Sequence, residues 1–399
     1  MIPRLPSGRL TRRSLLVAGA ALMPALARGQ PQTKPALGVP PTVISQPPRQ
    51  WGALAPPEIY PDPDVLIVDP SFAPYLVRLA SLHRLATGFA WAEGPAWSGE
   101  GRYLVFSDVK GDTQYRYLWE TRRASAYRRP SFNSNGNSFD FQGRQLSTQD
   151  FFRRVVRWEP DGSMTVIADS YQGRHLNSPN DLVPHPDGSI WFTDPPYGDQ
   201  LTEGHPDVNG APANRNALYD PNLGDHGVGL VGGLKGELPT NTYRWHPSGR
   251  LDVVAGADQV PDPNGICFSP DYKTLYLIST GPGPGQTTGG KGVIFAFDVQ
   301  GKTLANQRRF TDCMVDGVHC GPDGMRADRA GNLWVGSNAP LGYCGVTVWN
   351  KAGKLIGRIR LPEVCANLTF GGPKRDYLFM AASQSLYGLL VNVQGAAPG

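Results

Sequence analysis

The sequence predicts an all-β chain built as a six-bladed β-propeller, and three observations carry that expectation. First, a unit made of a polar opening residue, a tight turn about seven residues later and a β-rich run recurs six times. It reads EGPAWSGEGRYLVFSD from Glu93, NGNSFDFQGRQLSTQD from Asn135, NSPNDLVPHPDGSIWFTDPPY from Asn177, NGICFSPDYKTLYLIST from Asn264, DGMRADRAGNLWVGS from Asp323 and NLTFGGPKRDYLFMAAS from Asn367. Second, taking Phe106, Ser147, Phe192, Leu277, Val335 and Met380 as equivalent strand positions gives steps of 41, 45, 85, 58 and 45 residues, which are blade-like periods with insertions. Third, 48 glycines and 38 prolines punctuate short runs of Val, Ile, Tyr, Phe and Trp, and no long stretch carries a helical period. Residues 66–399 are long for one domain unless each unit buries its face against the next, as repeats do.

The ends are read separately. Thr11-Arg12-Arg13-Ser14-Leu15-Leu16, the apolar VAGAALMPALA and the small-residue site Ala25-Leu26-Ala27 read as a twin-arginine export signal over residues 1–27. That signal implies use of the twin-arginine machinery and a periplasmic or secreted destination. Cleavage there removes Arg4, Arg9, Arg12 and Arg13 and leaves 34 basic against 34 acidic side chains, so the formal charge of +4 belongs to the signal. A neutral mature chain offers no electrostatic case for nucleic acid or an anionic membrane. No other apolar run is long enough to span a bilayer. Residues 28–65 read as a proline-rich tether or surface strap, with ten prolines between Gln30 and Pro63.

Within the repeats, the step of 85 is where a seventh blade could hide. The stretch 195–239 holds no alternating apolar run, whereas Thr240–His246 and Arg250–Ala255 do, and they supply the outer strands of the third blade. The gap is therefore an insertion over one face. Leu79–Ala86 reads as an N-terminal strand that closes the last blade.

The same alignment places one oxygen-bearing side chain at an equivalent point of every unit, 12 or 13 residues before the strand position: Glu93, Asn135, Asn180, Asn264, Asp323 and Asn367. Equivalent points of a propeller face one axial channel. Two carboxylates and four amides are the donor set of a hard divalent cation, with calcium first and magnesium, manganese or zinc as alternatives. Turn capping accounts for any single Asn here, and for Asp161, Asp187 and Asp271 outright. It explains Glu93 poorly, since Glu is not a turn former. Asn135 and Asn367 are read as structural or lining.

These residues resemble the gluconolactonase and regucalcin group of six-bladed calcium-dependent lactonases, from Phe89 to the C-terminus. The resemblance rests on Glu93-Gly94-Pro95, on LNSPNDLV…DGSIWFTDPPYG, on Pro263-Asn264-Gly265 and on Pro322-Asp323-Gly324-Met325. It implies metal ligation by Glu93, Asn264 and Asp323, a further ligand or substrate contact from Asn180, and Asp323 as catalytic base. The family's Cys-Glu-His at the end of the second unit's strand is replaced here by Ser147-Thr148-Gln149-Asp150. The expected reaction is opening of an aldonolactone to the aldonic acid, with the cation polarising the carbonyl and Asp323 taking the proton of the attacking water. Asn180, Asp181, Asn135 and the 195–239 insertion would supply substrate contacts. Two other classes stay open: a non-catalytic propeller that binds a glycan or protein around a structural ion, and an esterase or phosphotriesterase on the same frame.

Other chemistry is poorly represented. The seven histidines include no His-x-x-x-His pair, and no Ser sits in Gly-x-Ser-x-Gly. His319, four residues before Asp323, reads as a solvated loop side chain. Gly281–Gly292 lacks the phosphate-loop spacing and reads as an inter-strand loop. Of the five cysteines, Cys267 reads as a buried thiol, Cys313 and Cys320 bracket a loop that a disulfide would stiffen, and Cys344 and Cys365 could make a second bridge, the connectivity itself not being deducible from sequence.

Overall fold

A computed structural model of the chain describes residues 40–195, 237–280 and 290–396. The signal, most of the third-unit insertion, and 281–289 of the glycine-rich loop lie outside the described residues. The six expected blades are present in chain order. Blade 1 comprises Ala92–Ser98, Tyr103–Asp108, Thr113–Leu118 and Arg123–Arg128. Blade 2 comprises Ser134–Phe139, Gln145–Gln149, Arg154–Trp158 and Met164–Ala168. In blade 3, Leu182–Pro184 and Ile190–Asp194 are followed, across the insertion, by Asn241–Trp245 and Leu251–Ala255 as expected. Blade 4 runs Pro263–Phe268, Thr274–Ser279, Val293–Gln300 and Thr303–Thr311. Blade 5 runs Gly321–Ala327, Leu333–Asn338, Gly345–Trp349 and Leu355–Arg360.

Blade 6 supplies only three strands from the C-terminal end of the chain, Cys365–Gly371, Tyr377–Ala382 and Ser385–Leu390; its fourth is His83–Thr87, paired antiparallel to Ser385–Leu390. The N-terminal closing strand is thus real, displaced slightly toward the C-terminus from Leu79–Ala86. Pairing the two ends of the chain in one sheet ties the ring shut, and Trp97 of blade 1 stacks on Phe379 of blade 6 at 5.9 Å to fill that seam. Ahead of it, Val65–Ile67 adds a fifth strand to the outside of blade 5. Residues 40–64 are held by ion pairs of Arg49 with Asp62 and of Arg360 with Asp64, the latter carboxylate fully buried.

Local chemistry explains the hairpins. Asp161, Asp187 and Asp271 each accept a hydrogen bond from the backbone N–H two residues on, at 2.9, 2.8 and 3.2 Å, which is the Asx turn their sequence positions predict. The innermost strands are buried along their whole length in five blades, and in blade 5 only Gly321 and Asp323 are half-buried, whereas no residue of Arg123–Arg128 at the outside of blade 1 is fully buried. They are rich in Gly, Asn, Ser and Ala because six backbones converge on the axis, where bulky side chains do not fit.

Candidate active site

The sequence phase survives in the hydrogen-bond register. In four blades the residue two after the polar opener pairs with the strand position used for the alignment: Asn137 with Ser147, Leu182 with Phe192, Ile266 with Leu277 and Met325 with Val335. The opener itself lies where the ladder breaks. Register shifts occur between Glu93 and Ala96, Ser134 and Asn137, Pro263 and Ile266, and Pro322 and Met325. A bulge re-aims a side chain out of the strand's alternation, and here it falls at the same end of these four innermost strands.

The glycine after the opener allows the ring to close. A Cβ on Gly94 would collide with the carbonyl of Asn135, one on Gly136 with that of Asn180, one on Gly265 with that of Asp323, and one on Gly324 with the side chain of Asn367. Four of the six junctions, blades 1–2, 2–3, 4–5 and 5–6, are thereby packed glycine against the next opening residue, whereas Asn180 and Asn367 are followed by Asp181 and Leu368. Three hydroxyls on the second strands lock the ring further. Ser107 Oγ donates to the carbonyl of Asn135 at 2.8 Å, Thr148 Oγ1 to that of Asn180 at 2.8 Å, and Thr193 Oγ1 to that of Asn264 at 2.7 Å. The sequence reading did not single these out. Their signal was present: each directly follows an aligned strand position, where blades 4, 5 and 6 have Ile278, Gly336 and Ala381.

The electrostatics concentrate at blades 1 and 5. Burial, reinforced by the charge of Asp323 and then of Asp181, pushes the Glu93 carboxyl well above the usual carboxylate range, against hydrogen bonds from Gly94 N–H and the Asn367 side chain. Glu93 is 1% exposed, and Asp323 is half-buried. A buried acid whose proton affinity is raised by a neighbouring carboxylate is the kind of group that a cation would relieve. Among the described residues no three His, Cys, Asp or Glu side chains cluster as a metal centre; the expected donors, Glu93, Asn180, Asn264 and Asp323, carry two carboxylates and two amides. An all-oxygen set fits a hard divalent ion and not a thiolate- or imidazole-seeking one.

Asp181 is placed differently from its neighbour Asn180. It is fully buried, its Oδ1 accepts from Leu182 N–H at 2.8 Å, and its two oxygens take Nη2 and Nη1 of Arg326 at 3.3 and 3.0 Å. Burial alone would lower the pKa of Arg326, but the charge and hydrogen bonds of Asp181 more than offset it and hold the guanidinium charged. Asp194, fully buried, caps the chain entering the site by accepting from Asn177 and Ser178 N–H at 2.9 and 2.8 Å. Pro196 and Tyr197 lie outside the described residues.

Behind Asn135 sits an acid that the sequence reading passed over. Burial pushes the Asp150 carboxyl up to about 8, with Asp194 adding to the effect and hydrogen bonds from Ser178 and Asn135 opposing it. Ser178 Oγ donates to it at 3.1 Å. His319 stays out of the ring, its Nε2 bonded to the carbonyl of Gly292 at 2.7 Å. All five cysteines are buried free thiols, which corrects the two expected disulfides; the Cys313 to Cys320 hairpin is closed instead by a backbone bond from Cys320 N–H to Cys313 O at 3.0 Å.

Residues 91–384 match the family model described as SMP-30/Gluconolactonase/LRE-like region. A gluconolactonase of Zymomonas mobilis is 27% identical over 326 residues, covering 76% of this chain and 79% of that protein. Among solved structures, a gluconolactonase of Xanthomonas campestris superposes with a TM-score of 0.66 at 30% identity, covering 85% of this chain and 99% of its own. A calcium-binding regucalcin of Agrobacterium tumefaciens shares the fold at a TM-score of 0.56 and 17% identity, covering 79% and 94% of the two chains.

Proposed function

This chain belongs to the SMP-30/gluconolactonase/LRE-like family and is a lactone hydrolase, and we propose that it opens aldonolactones to aldonic acids at the axial ring, with a calcium ion and Asp323 as base. The observation that carries the reading is the meeting of Glu93 and Asp323, 230 residues apart in sequence, in one buried electrostatic neighbourhood at equivalent points of blades 1 and 5.

Glu93, Asn180, Asn264 and Asp323 would hold the ion, whose chemistry is to polarise the lactone carbonyl and to steady the negative charge of the tetrahedral oxygen. The protein supplies the rest. The Asp323 carboxylate takes a proton from water as that water attacks the carbonyl carbon, and it returns the proton to the ring oxygen as the acyl bond opens. Asn180 and Asn135 offer amides to the ring hydroxyls of the sugar, and Asp181 contributes from behind by fixing the chain beside Asn180. A lactone is an activated ester, so one base and one electrophile suffice. Residues 1–27 support export by the twin-arginine route to the periplasm or beyond, which cell fractionation of the full-length chain checks.

The test is a panel of aldonolactones and simple lactones followed by proton release, with and without chelator. Hydrolysis of aldonolactones that stops with chelator and returns with calcium is expected. Undiminished turnover after thorough chelation would remove the cation from the reaction, and turnover of simple lactones alone would remove the sugar.

A further inference from the structure

In blade 2 the register position two residues after the opener holds Asn137 paired with Ser147, where blades 3, 4 and 5 hold the apolar pairs Leu182 with Phe192, Ile266 with Leu277 and Met325 with Val335. Asn137 and Ser147 are fully buried, so blade 2 gives up apolar packing here and must satisfy buried polar groups instead. It does so with a chain of amides that begins at Arg128, on the outermost strand of blade 1. Arg128 Nη1 donates to Gln114 Oε1 at 2.8 Å and to Gln145 Oε1 at 2.7 Å. Gln114 Nε2 donates to Asn137 Oδ1 at 2.8 Å, and Ser147 Oγ donates to the same oxygen at 2.7 Å. Asn137 Nδ2 then donates to the carbonyl of Gly94 at 2.9 Å and to that of Asn135 at 3.1 Å.

A guanidinium can only donate, so Arg128 fixes which end of each amide faces inward: Gln114 turns its nitrogen to Asn137, and Asn137 turns its nitrogen to the ring. The Gly94 carbonyl that it meets lies where the ladder breaks, between Glu93 and Ala96. Gly94 in turn donates its N–H to Glu93 Oε2 at 2.5 Å. We propose that Asn137 is a positioning residue of the axial site: it holds the Gly94 bulge that aims the Glu93 carboxylate, and the amide chain from Arg128 keeps its own amide in the working orientation. The inference rests on Glu93 being a ligand of the axial cation. Groups that orient a metal ligand are typically worth about tenfold to a hundredfold in metal affinity.

The experiment compares Asn137→Leu, Arg128→Met and Val155→Ala with the unaltered full chain, by melting in chelator and by calorimetric titration with calcium chloride. Leu is the residue blade 3 carries at the Asn137 register position, and Val155→Ala, which truncates a buried apolar side chain of blade 2, is the control for lost stability. All three variants are expected to melt lower in chelator. Only the first two are expected to lose calcium affinity, Asn137→Leu by at least about tenfold and Arg128→Met by less, since its Asn137 still meets Gly94 in one of two amide orientations. If Asn137→Leu does not fold, Asn137→Ser, smaller and also without the amide nitrogen, takes its place in the titration. Unaltered calcium affinity in the Asn137 variant, or an equal fall in Val155→Ala, would overturn the role given to Asn137 while leaving the ion site intact. Absence of any calcium binding by the unaltered protein would overturn both.

Discussion

Thr193, on the second strand of blade 3, donates its hydroxyl to the backbone carbonyl of Asn264, the opening residue of blade 4, at 2.7 Å. Both residues are buried, and the bond joins neighbouring blades at the level of the candidate ligands. Ser107 and Thr148 make the equivalent bonds two blades and one blade earlier. Thr193→Val keeps the shape and removes the donor, leaving a buried carbonyl short of one partner. The expected cost is about 1–2 kcal/mol in chemical denaturation, with a calcium affinity that falls alongside. A variant of unaltered stability would show that the clamp is dispensable.

Asp323→Asn retains size and an oxygen but loses both the charge and the proton acceptor. General-base assistance is worth roughly 10² to 10⁴ in rate, so lactone turnover should fall by at least the lower figure while the circular dichroism of the propeller is retained. Calcium binding should weaken as well, since one of two axial carboxylates has gone. Near-normal hydrolysis would take Asp323 out of the proton transfer.

Asn264→Ala removes a neutral ligand and leaves the base in place. Its expected signature is a raised calcium requirement with turnover partly recovered at high calcium, read from rates across a calcium titration. Loss that no calcium concentration repairs would instead make Asn264 a substrate contact.

Asp150 should govern a pH dependence of stability. Its carboxyl is raised to about 8 in the folded chain, above the value it takes when unfolded, so the folded state binds the extra proton. Stability is then fully present below about pH 4 as far as this group is concerned and is lost progressively as pH rises through 8. Asp150→Asn removes the titration and keeps an oxygen for Ser178. Since one pKa unit corresponds to about 1.4 kcal/mol and the carboxyl moves from the usual carboxylate range to about 8, the variant should be more stable than the unaltered protein at pH 8 by at most about 5 kcal/mol, the two converging near pH 4. Parallel melting curves across that range would assign the shift elsewhere.

The propeller was legible in the sequence because its determinants are local and repeated. Asp-containing turns at Asp161, Asp187 and Asp271 hydrogen-bond within two residues, and strands with a buried face advertise themselves by β-branched and aromatic runs. The candidate ring was legible for a related reason. A repeat converts sequence phase into angular position about an axis, so Glu93, Asn180, Asn264 and Asp323 could be grouped without knowing any distance. What lay beyond the sequence was every relationship that depends on which blades face one another and on how side chains turn inside the channel. Arg326 and Asp181 are 145 residues apart and belong to non-adjacent blades, so no spacing rule links them. The raised carboxyl of Asp150 arises from burial, reinforced by Asp194 and opposed by hydrogen bonds from Ser178 and Asn135, groups contributed by separate segments. The free state of the Cys313 and Cys320 thiols was likewise not legible from their spacing. Periodicity and turn chemistry are properties of short stretches and can be read from them, whereas charge pairing and desolvation in the axial channel exist only once six blades have brought distant residues within a few ångströms.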